Sequence, residues 1–391
     1  MTVLIPQSLR CDPHAKERYP RLIEAVRREN HPFYRERLAG EPVEAPLLSR
    51  GDILAANDLL LNGHKETART SGSTGVPVRI AWSPERMKLE FEANQASLRW
   101  VGAVPNATAF IHLHKTAPNA RTAQYDIRTP LDEQIHILEQ RFKEVGAQGV
   151  TTYPTSAEAL AKAVLEAGRD MSFITCVGLY AELLEPAQEE VIRQAFPKAK
   201  IWSVYSSMEF GIIAPRCPKE PDFHHILARK LGVEILNDRD EPAEEGEIGR
   251  LVITDYFNTR SPLIRYDIGD MAAPATCPCG NVKMPAISQL IGKIRGALMH
   301  RDGRRIPFTH LSVALRDIPG MSQYQVIQHE MERFELRTVR EEGVMPQQEF
   351  LARVEAAFAV EFGYTPQITI TPETEIERGP NGKFYASISK L

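Results

Sequence analysis

Between residues 155 and 205 the hydrophobic pattern changes period repeatedly, and that alternation limits the folds open to the chain. Thr155-x-x-Glu158 reads as a capping box ahead of Leu160, Ala163, Val164 and Leu165, with Gly168 as a stop. Residues 173–178 read as a buried strand, 186–196 as a helix, and Ile201 to Tyr205 as another strand. Strand, helix and strand at this spacing predict a largely parallel sheet with helical crossovers. Upstream, residues 13–40 are helix-rich, with Leu22, Ile23, Val26 and Phe33 set among charges, and Val78 to Trp82 read as a strand. Residues 246–254 read as a turn and then a strand.

The pattern changes after about residue 293. Asp302-Gly303 is a hairpin-turn signal, followed by a helix over 309–317 and strands over 323–328 and 334–340. An amphipathic helix is expected over 346–362, with Phe350, Leu351, Val354, Ala357 and Phe358 on one face, and a last strand over 366–371. The 391 residues are therefore expected to form an α/β N-terminal domain, 1–293, with mixed sheets and helical crossovers. A small α+β C-terminal domain, 294–391, follows.

A net charge of −4, with Lys and Arg spread along the chain, makes no electrostatic case for nucleic acid or an anionic membrane. No apolar run approaches the roughly 20 residues that span a bilayer. The N-terminus lacks the charged start and apolar core of a signal peptide. The expectation is a cytoplasmic protein. Five cysteines, an odd number, argue against a disulfide framework. Three of them, Cys217, Cys277 and Cys279, fall between 217 and 279, the stretch that also holds His224 and His225. Three thiols and one imidazole suit tetrahedral Zn²⁺, and the competing reading is three reduced, separately packed thiols.

The stretch Thr70-Ser71-Gly72-Ser73-Thr74-Gly75-Val76-Pro77 carries no charge and six Ser, Thr or Gly residues. Its glycines let a backbone approach a phosphate, and its N–H groups and hydroxyls donate hydrogen bonds. A flexible turn is the plain alternative. It is not the P-loop of the common NTPases, because no Lys follows the second Gly. Further along stand Tyr205-Ser206-Ser207-Met208-Glu209-Phe210-Gly211, then Ser261-Pro262-Leu263-Ile264-Arg265-Tyr266-Asp267-Ile268-Gly269-Asp270, then Gly382-Lys383. In this order and spacing the chain resembles the adenylate-forming enzymes, in their phenylacetate-coenzyme A ligase-like branch. The resemblance extends over nearly the whole chain, from His31-Pro32-Phe33-Tyr34 onward.

That resemblance implies an ATP-dependent acid–thiol ligase. A carboxylate attacks the α-phosphorus of ATP to form an acyl-adenylate, which coenzyme A then takes up as a thioester. A carrier-protein thiol or an amine is the alternative acceptor, and a homodimer is left open. Ser71, Gly72, Ser73, Thr74 and Gly75 would hold the β- and γ-phosphates, with Thr74 counted among the catalytic residues. Glu209 would hold Mg²⁺, since a hard cation on phosphates takes one or two carboxylates. Tyr205 and Ser206 precede it in the nucleotide-binding set. Asp270 would accept from the ribose hydroxyls, while Arg265 and Tyr266 read equally as a salt bridge and a core aromatic. Tyr180, Ala181 and Glu182 would lie against the adenine, and Lys293 joins the nucleotide contacts. Lys383 would supply positive charge during adenylation. The family offset favours His225 over His224 as the fourth ligand of a structural Zn²⁺ with Cys217, Cys277 and Cys279.

The chain departs from the family at its expected hinge, which reads Gly292-Lys293-Ile294-Arg295-Gly296, with Gly where relatives keep an Asp. An aryl or arylacetic acid is the implied substrate. Phe110, His112, His114, Tyr153, Tyr180 and Trp202 are candidates for its pocket, the bland reading being core packing. Phe110, His112 and His114 alternate and so share one side of a strand.

Overall fold

Buried strands in this chain are short, apolar and separated by amphipathic helices, and the consequence is a six-stranded sheet. The computed structural model describes residues 2–10, 12–70, 77–103, 109–114, 123–237, 239–291, 298–303, 305–306, 311, 314–315, 318–341, 343–376 and 386–391. The sheet order is Gln124–Asp126, Ala109–His114, Ala147–Thr152, Cys176–Leu179, Lys200–Ser207 and Gly211–Pro215. The first five strands pair in parallel, and the last turns back antiparallel on Lys200–Ser207. Helices Leu131–Val145, Pro154–Glu166 and Pro186–Ala195 supply the crossovers. Ile135, Leu138, Leu160, Val164 and Ile192 pack with Ile111, Val150, Val177 and Leu179. Alternation along each strand sends Cys176, Trp202 and Val204 to a different cluster, with Leu98 and Ile212.

A second sheet has the order Leu231–Leu236, Gly249–Asp255, Tyr266–Ala275, Ala286–Ile291 and His224–His225. Its residues Leu231, Leu251, Ile253, Tyr266 and Ile268 share a core with the N-terminal helix Pro13–Arg28. By chain contacts the molecule forms two compact units, Met1–Leu290 and Ile291–Leu391. The expected boundary at Gly292-Lys293 lies outside the described residues.

In the second unit, Met321–Glu330 and Arg333–Arg340 form an antiparallel hairpin, flanked in parallel by Ser387–Ser389 and Gln367–Pro372. Helix Gln347–Phe362 packs Phe350, Val354, Phe358 and Phe362 against Val326, Phe334 and Leu336. A short ladder, Leu298–Met299 with Arg305–Ile306, brackets the expected turn at Asp302-Gly303.

Several local expectations are corrected. Residues 32–38 form turns, not a continuation of the first helix. The strand after the Ser/Thr/Gly stretch is only Arg79–Ile80. Thr155 does not cap its helix: Tyr153 holds the N-cap position, and the Thr155 N–H and hydroxyl donate to Glu182 Oε2 at 3.1 and 2.8 Å. A carboxylate brought by tertiary structure replaces the local capping box. Leu351 is exposed, one step off the stripe of Phe350, Val354, Ala357 and Phe358. The helix expected over 309–317 falls largely outside the described residues.

Candidate active site

Lys200–Ser207 ends in a tight reversal, and Gly211–Pro215 returns beside it. Glu209 sits in that reversal, at the edge of the parallel sheet where crossovers stop. It is 1% exposed, and its Oε1 meets no hydrogen-bond partner among the described residues. A buried carboxylate oxygen without a partner is costly unless a cation or donor is due there. Tyr205 points its hydroxyl at Asp270 Oδ2 at 2.6 Å, joining two motifs 65 positions apart. Burial, then the charges of Asp270 and Glu209, push the Tyr205 hydroxyl well above its ordinary range. Tyr205 thus stays a neutral donor within the field of both carboxylates. Ser206 is half-buried next to it on the same strand.

Tyr266 is a core aromatic, stacked at a tilt on Phe210 with centroids 6.1 Å apart. Arg265 takes the salt-bridge reading: it holds Glu234 at 3.0 and 3.1 Å, with its backbone at a positive φ of 50°. Tyr180, Ala181 and Glu182 leave the end of Cys176–Leu179. Ala181 adopts φ 68°, a left-handed turn that costs a residue with a Cβ roughly 1–2 kcal/mol. Tyr180 meets Tyr153 edge to face at 5.7 Å. Glu182 anchors the helix start at Thr155, a structural contact that the adenine assignment had not included.

Among the pocket candidates, Phe110 and Tyr180 pack on the Trp202 cluster. His112 stacks on Phe110 at 6.4 Å and lies 2.6 Å from the Thr151 hydroxyl, and burial keeps its imidazole below the ordinary value. Gly178 has no room for a side chain, since a Cβ there would lie 2.8 Å from the Trp202 ring.

The backbone of the Glu209 turn is held by a group of charges that the sequence reading missed. Arg86, fully buried, donates to Asp255 at 2.5 Å, to Glu90 at 2.9 Å and to the Phe210 carbonyl. Lys230 donates to Glu90 at 2.8 Å, to the Phe210 carbonyl at 3.1 Å and to the Ile212 carbonyl. Burial pushes the Lys230 ammonium down to about 8, against the pull of Glu90. In the sequence, Arg86 and Glu90 look like an ordinary i, i+4 surface pair. Only the fold reveals that they are inside.

A second site gathers Cys217, His225, Cys277 and Cys279, whose ligand atoms all lie within 4.8 Å of one another. Cys279 Sγ is 3.7 Å from His225 Nε2. Ligands of tetrahedral zinc stand about 3.5–3.8 Å apart, a separation that the Cys279–His225 pair already has, and three thiols with one imidazole are the donor set the ion takes. His224 and His225 are successive strand residues and face opposite ways, which is why one imidazole joins the thiols and the other does not.

Ser71, Gly72, Ser73, Thr74, Gly75, Lys293 and Lys383 lie outside the described residues, as does Gly296.

No family model matches the sequence. The phenylacetate-coenzyme A ligase of Thermus thermophilus is 26% identical over 324 residues, 76% of this chain and 68% of that protein. A solved 2-hydroxyisobutyryl-CoA ligase, in the postadenylation state with an adenylate, aligns over 97% of this chain and 93% of its own at TM-score 0.74 and 15% identity. The chain is therefore similar in sequence to a phenylacetate-coenzyme A ligase and in fold to acyl-adenylate-handling CoA ligases. An amide bond synthetase from Marinactinospora thermotolerans shares the fold over 78% of this chain and 66% of its own, at TM-score 0.59 and 15% identity.

Proposed function

We propose that this adenylate-forming enzyme is an AMP-forming acid–thiol ligase acting on a small carboxylic acid of the aryl or arylacetic class. In the first half-reaction a carboxylate oxygen attacks the α-phosphorus of ATP, and pyrophosphate leaves with the bond's electron pair. In the second, the thiol of coenzyme A attacks the acyl carbonyl and AMP leaves. The observation that carries this reading is the Tyr205–Asp270 hydrogen bond, which sets one buried tyrosine in the field of both Asp270 and Glu209.

Asp270 is assigned to the ribose diol, and Tyr205 orients it. Glu209 is assigned to Mg²⁺, which neutralises phosphate charge when bound. Its Oε1, which meets no hydrogen-bond partner among the described residues, supports the fit. Tyr180, Ala181, Glu182 and Ser206 are assigned to the nucleotide. So are Ser71, Gly72, Ser73, Thr74 and Gly75 at the phosphates, with Lys293 beside the nucleotide and Lys383 at the α-phosphate and carboxylate. Cys217, His225, Cys277 and Cys279 are assigned to a structural Zn²⁺ with no open position. The likeness to an amide bond synthetase favours one second reading, an amine as acceptor.

A panel of carboxylic acids assayed for pyrophosphate release, with and without coenzyme A, tests the reading. The expected outcome is release with an aryl or arylacetic acid and thioester when coenzyme A is present. Release without thioester moves the reading to an amine or carrier-protein acceptor. An enzyme that releases no pyrophosphate with any acid overturns it.

A further inference from the structure

The reversal that carries Glu209 is held far more tightly than a two-strand turn requires. Its backbone polar groups are taken up almost one by one. Trp82 Nε1 donates to the Glu209 carbonyl at 3.2 Å. The Phe210 carbonyl accepts from both Arg86 and Lys230, and the Phe210 N–H donates to Ser207 Oγ at 3.1 Å. The Ile212 N–H donates to Glu90 Oε1 at 2.7 Å, and its carbonyl accepts from Lys230. Arg86 also stacks its guanidinium over the Trp82 ring at 4.7 Å, so the donor to Glu209 is held by the same residue. Gly211 closes the turn at φ 60°, where a Cβ would lie 2.2 Å from the Glu90 carboxylate carbon.

The charges involved come from three elements: Arg86 and Glu90 from helix Pro84–Trp100, Lys230 from the start of the second sheet, and Asp255 from the end of Gly249–Asp255. Two cations and two anions balance. Yet burying four charges is a poor way to gain stability, because an apolar set of the same shape commonly does as well or better. What an apolar set cannot do is hydrogen-bond two carbonyls and an N–H of one turn. Directly on that turn sits a buried carboxylate with one oxygen still open among the described residues.

We infer that Arg86, Glu90, Lys230 and Asp255, through the Phe210 and Ile212 backbone, are positioning residues that aim the Glu209 carboxylate at a divalent cation on the nucleotide's triphosphate. The inference rests on the nucleotide-ligase reading above. None of the four touches the reacting atoms. They act through the direction of Glu209, as residues behind a metal ligand do when they set affinity by 10–100-fold.

The test replaces the central ion pair by uncharged groups of similar shape, Glu90→Gln with Lys230→Met, so that no charge is left unpaired. Near-ultraviolet circular dichroism checks the fold. The metal is read by electron paramagnetic resonance of Mn²⁺ binding to protein saturated with a non-hydrolysable ATP analogue, and by the Mg²⁺ dependence of pyrophosphate release. The expected result is about tenfold weaker Mn²⁺ binding and a matching rise in half-saturating Mg²⁺. The KM for the acid should stay within about twofold. Glu209→Gln should show the same loss, and the triple variant should lose no more than Glu209→Gln alone, because both changes remove one function. Arg86→Lys, which keeps charge and loses the fork, should fall between.

Unchanged Mn²⁺ affinity in a folded Glu90→Gln/Lys230→Met protein overturns the inference. So do losses that add in the triple variant, or a Glu209→Gln protein that binds Mn²⁺ like wild type. If wild type releases no pyrophosphate with any acid, the ligase reading fails, and the Mn²⁺ measurements still decide this inference.

Discussion

Asp270 and Glu182 are both carboxylates proposed at the nucleotide, and their surroundings differ. Asp270 is 4% exposed and accepts from the Tyr205 hydroxyl, within the field that also includes Glu209. Glu182 holds the N–H and hydroxyl of Thr155 at the first turn of a helix, where negative charge is favoured. A carboxylate's partners, more than its place in a motif, decide what it can bind. Glu335 in the second unit shows the same rule with a measurable consequence. It accepts from Arg337 at 2.9 Å, lies 2.9 Å from His329 Nε2, and accepts from Thr371 at 3.2 Å. The Arg337 hydrogen bond leads in lowering its carboxyl from the ordinary 4.5 to about 2, with burial opposing. A depressed carboxylate stabilises the fold fully above its unfolded value and loses that contribution as pH falls through its folded value. The melting-temperature gap between wild type and Glu335→Gln should therefore be widest above about pH 5 and shrink as pH falls toward 2. A gap that does not change with pH would mean that the contacts act without the charge.

At the scale of elements, the second site is made by three separate segments of the chain. Cys217 follows Gly211–Pro215, His225 lies on a two-residue strand, and Cys277 and Cys279 follow Tyr266–Ala275. Short pairings such as His224–His225 with Ala286–Ile287 provide few hydrogen bonds of their own. A metal would tie these ends together, and structural zinc contributes directly to folding. Elemental analysis is expected to find about one zinc per chain. Cys279→Ser should lower the zinc content and the melting temperature together. A metal-free preparation that melts at the same temperature would show that the four ligands are packed for another reason.

At the scale of the molecule, the two units keep separate cores. The clusters around Tyr266, Val177 and Trp202 are built from residues before 291, and the cluster around Phe334 and Phe358 from residues after 297. Units with separate cores can melt separately, so unfolding need not be two-state. Lys383 belongs by sequence to the second unit, and its proposed role is charge stabilisation during adenylation. Lys383→Ala should leave ATP binding and the melting profile nearly unchanged while slowing acid-dependent pyrophosphate release by on the order of 10²-fold. Calorimetry, ATP titration and the pyrophosphate assay on the same protein check this together. Wild-type release rates in the variant would remove Lys383 from the mechanism.

The order and type of the elements were legible because each is a local pattern. The helix expected over 186–196 and the strands expected over 201–205, 323–328 and 334–340 are all present within a few residues of those bounds, because hydrophobic period survives any tertiary arrangement. The resemblance to the phenylacetate-coenzyme A ligase-like branch was legible because the motifs around Glu209, Asp270 and Lys383 keep their order in the chain. What the sequence left open depends on distance in space. Thr155 has a good local cap in Glu158 and takes Glu182 instead, because a neighbouring strand delivers that carboxylate to the helix start. His224 and His225 differ only in which side of a strand they face. Arg86 and Glu90 read as a solvated pair until Asp255 and Lys230, more than 130 residues downstream, close over them. Hydrophobic pattern determines what an element is, but burial of a charge is determined by whatever folds against it, and only the tertiary structure supplies that.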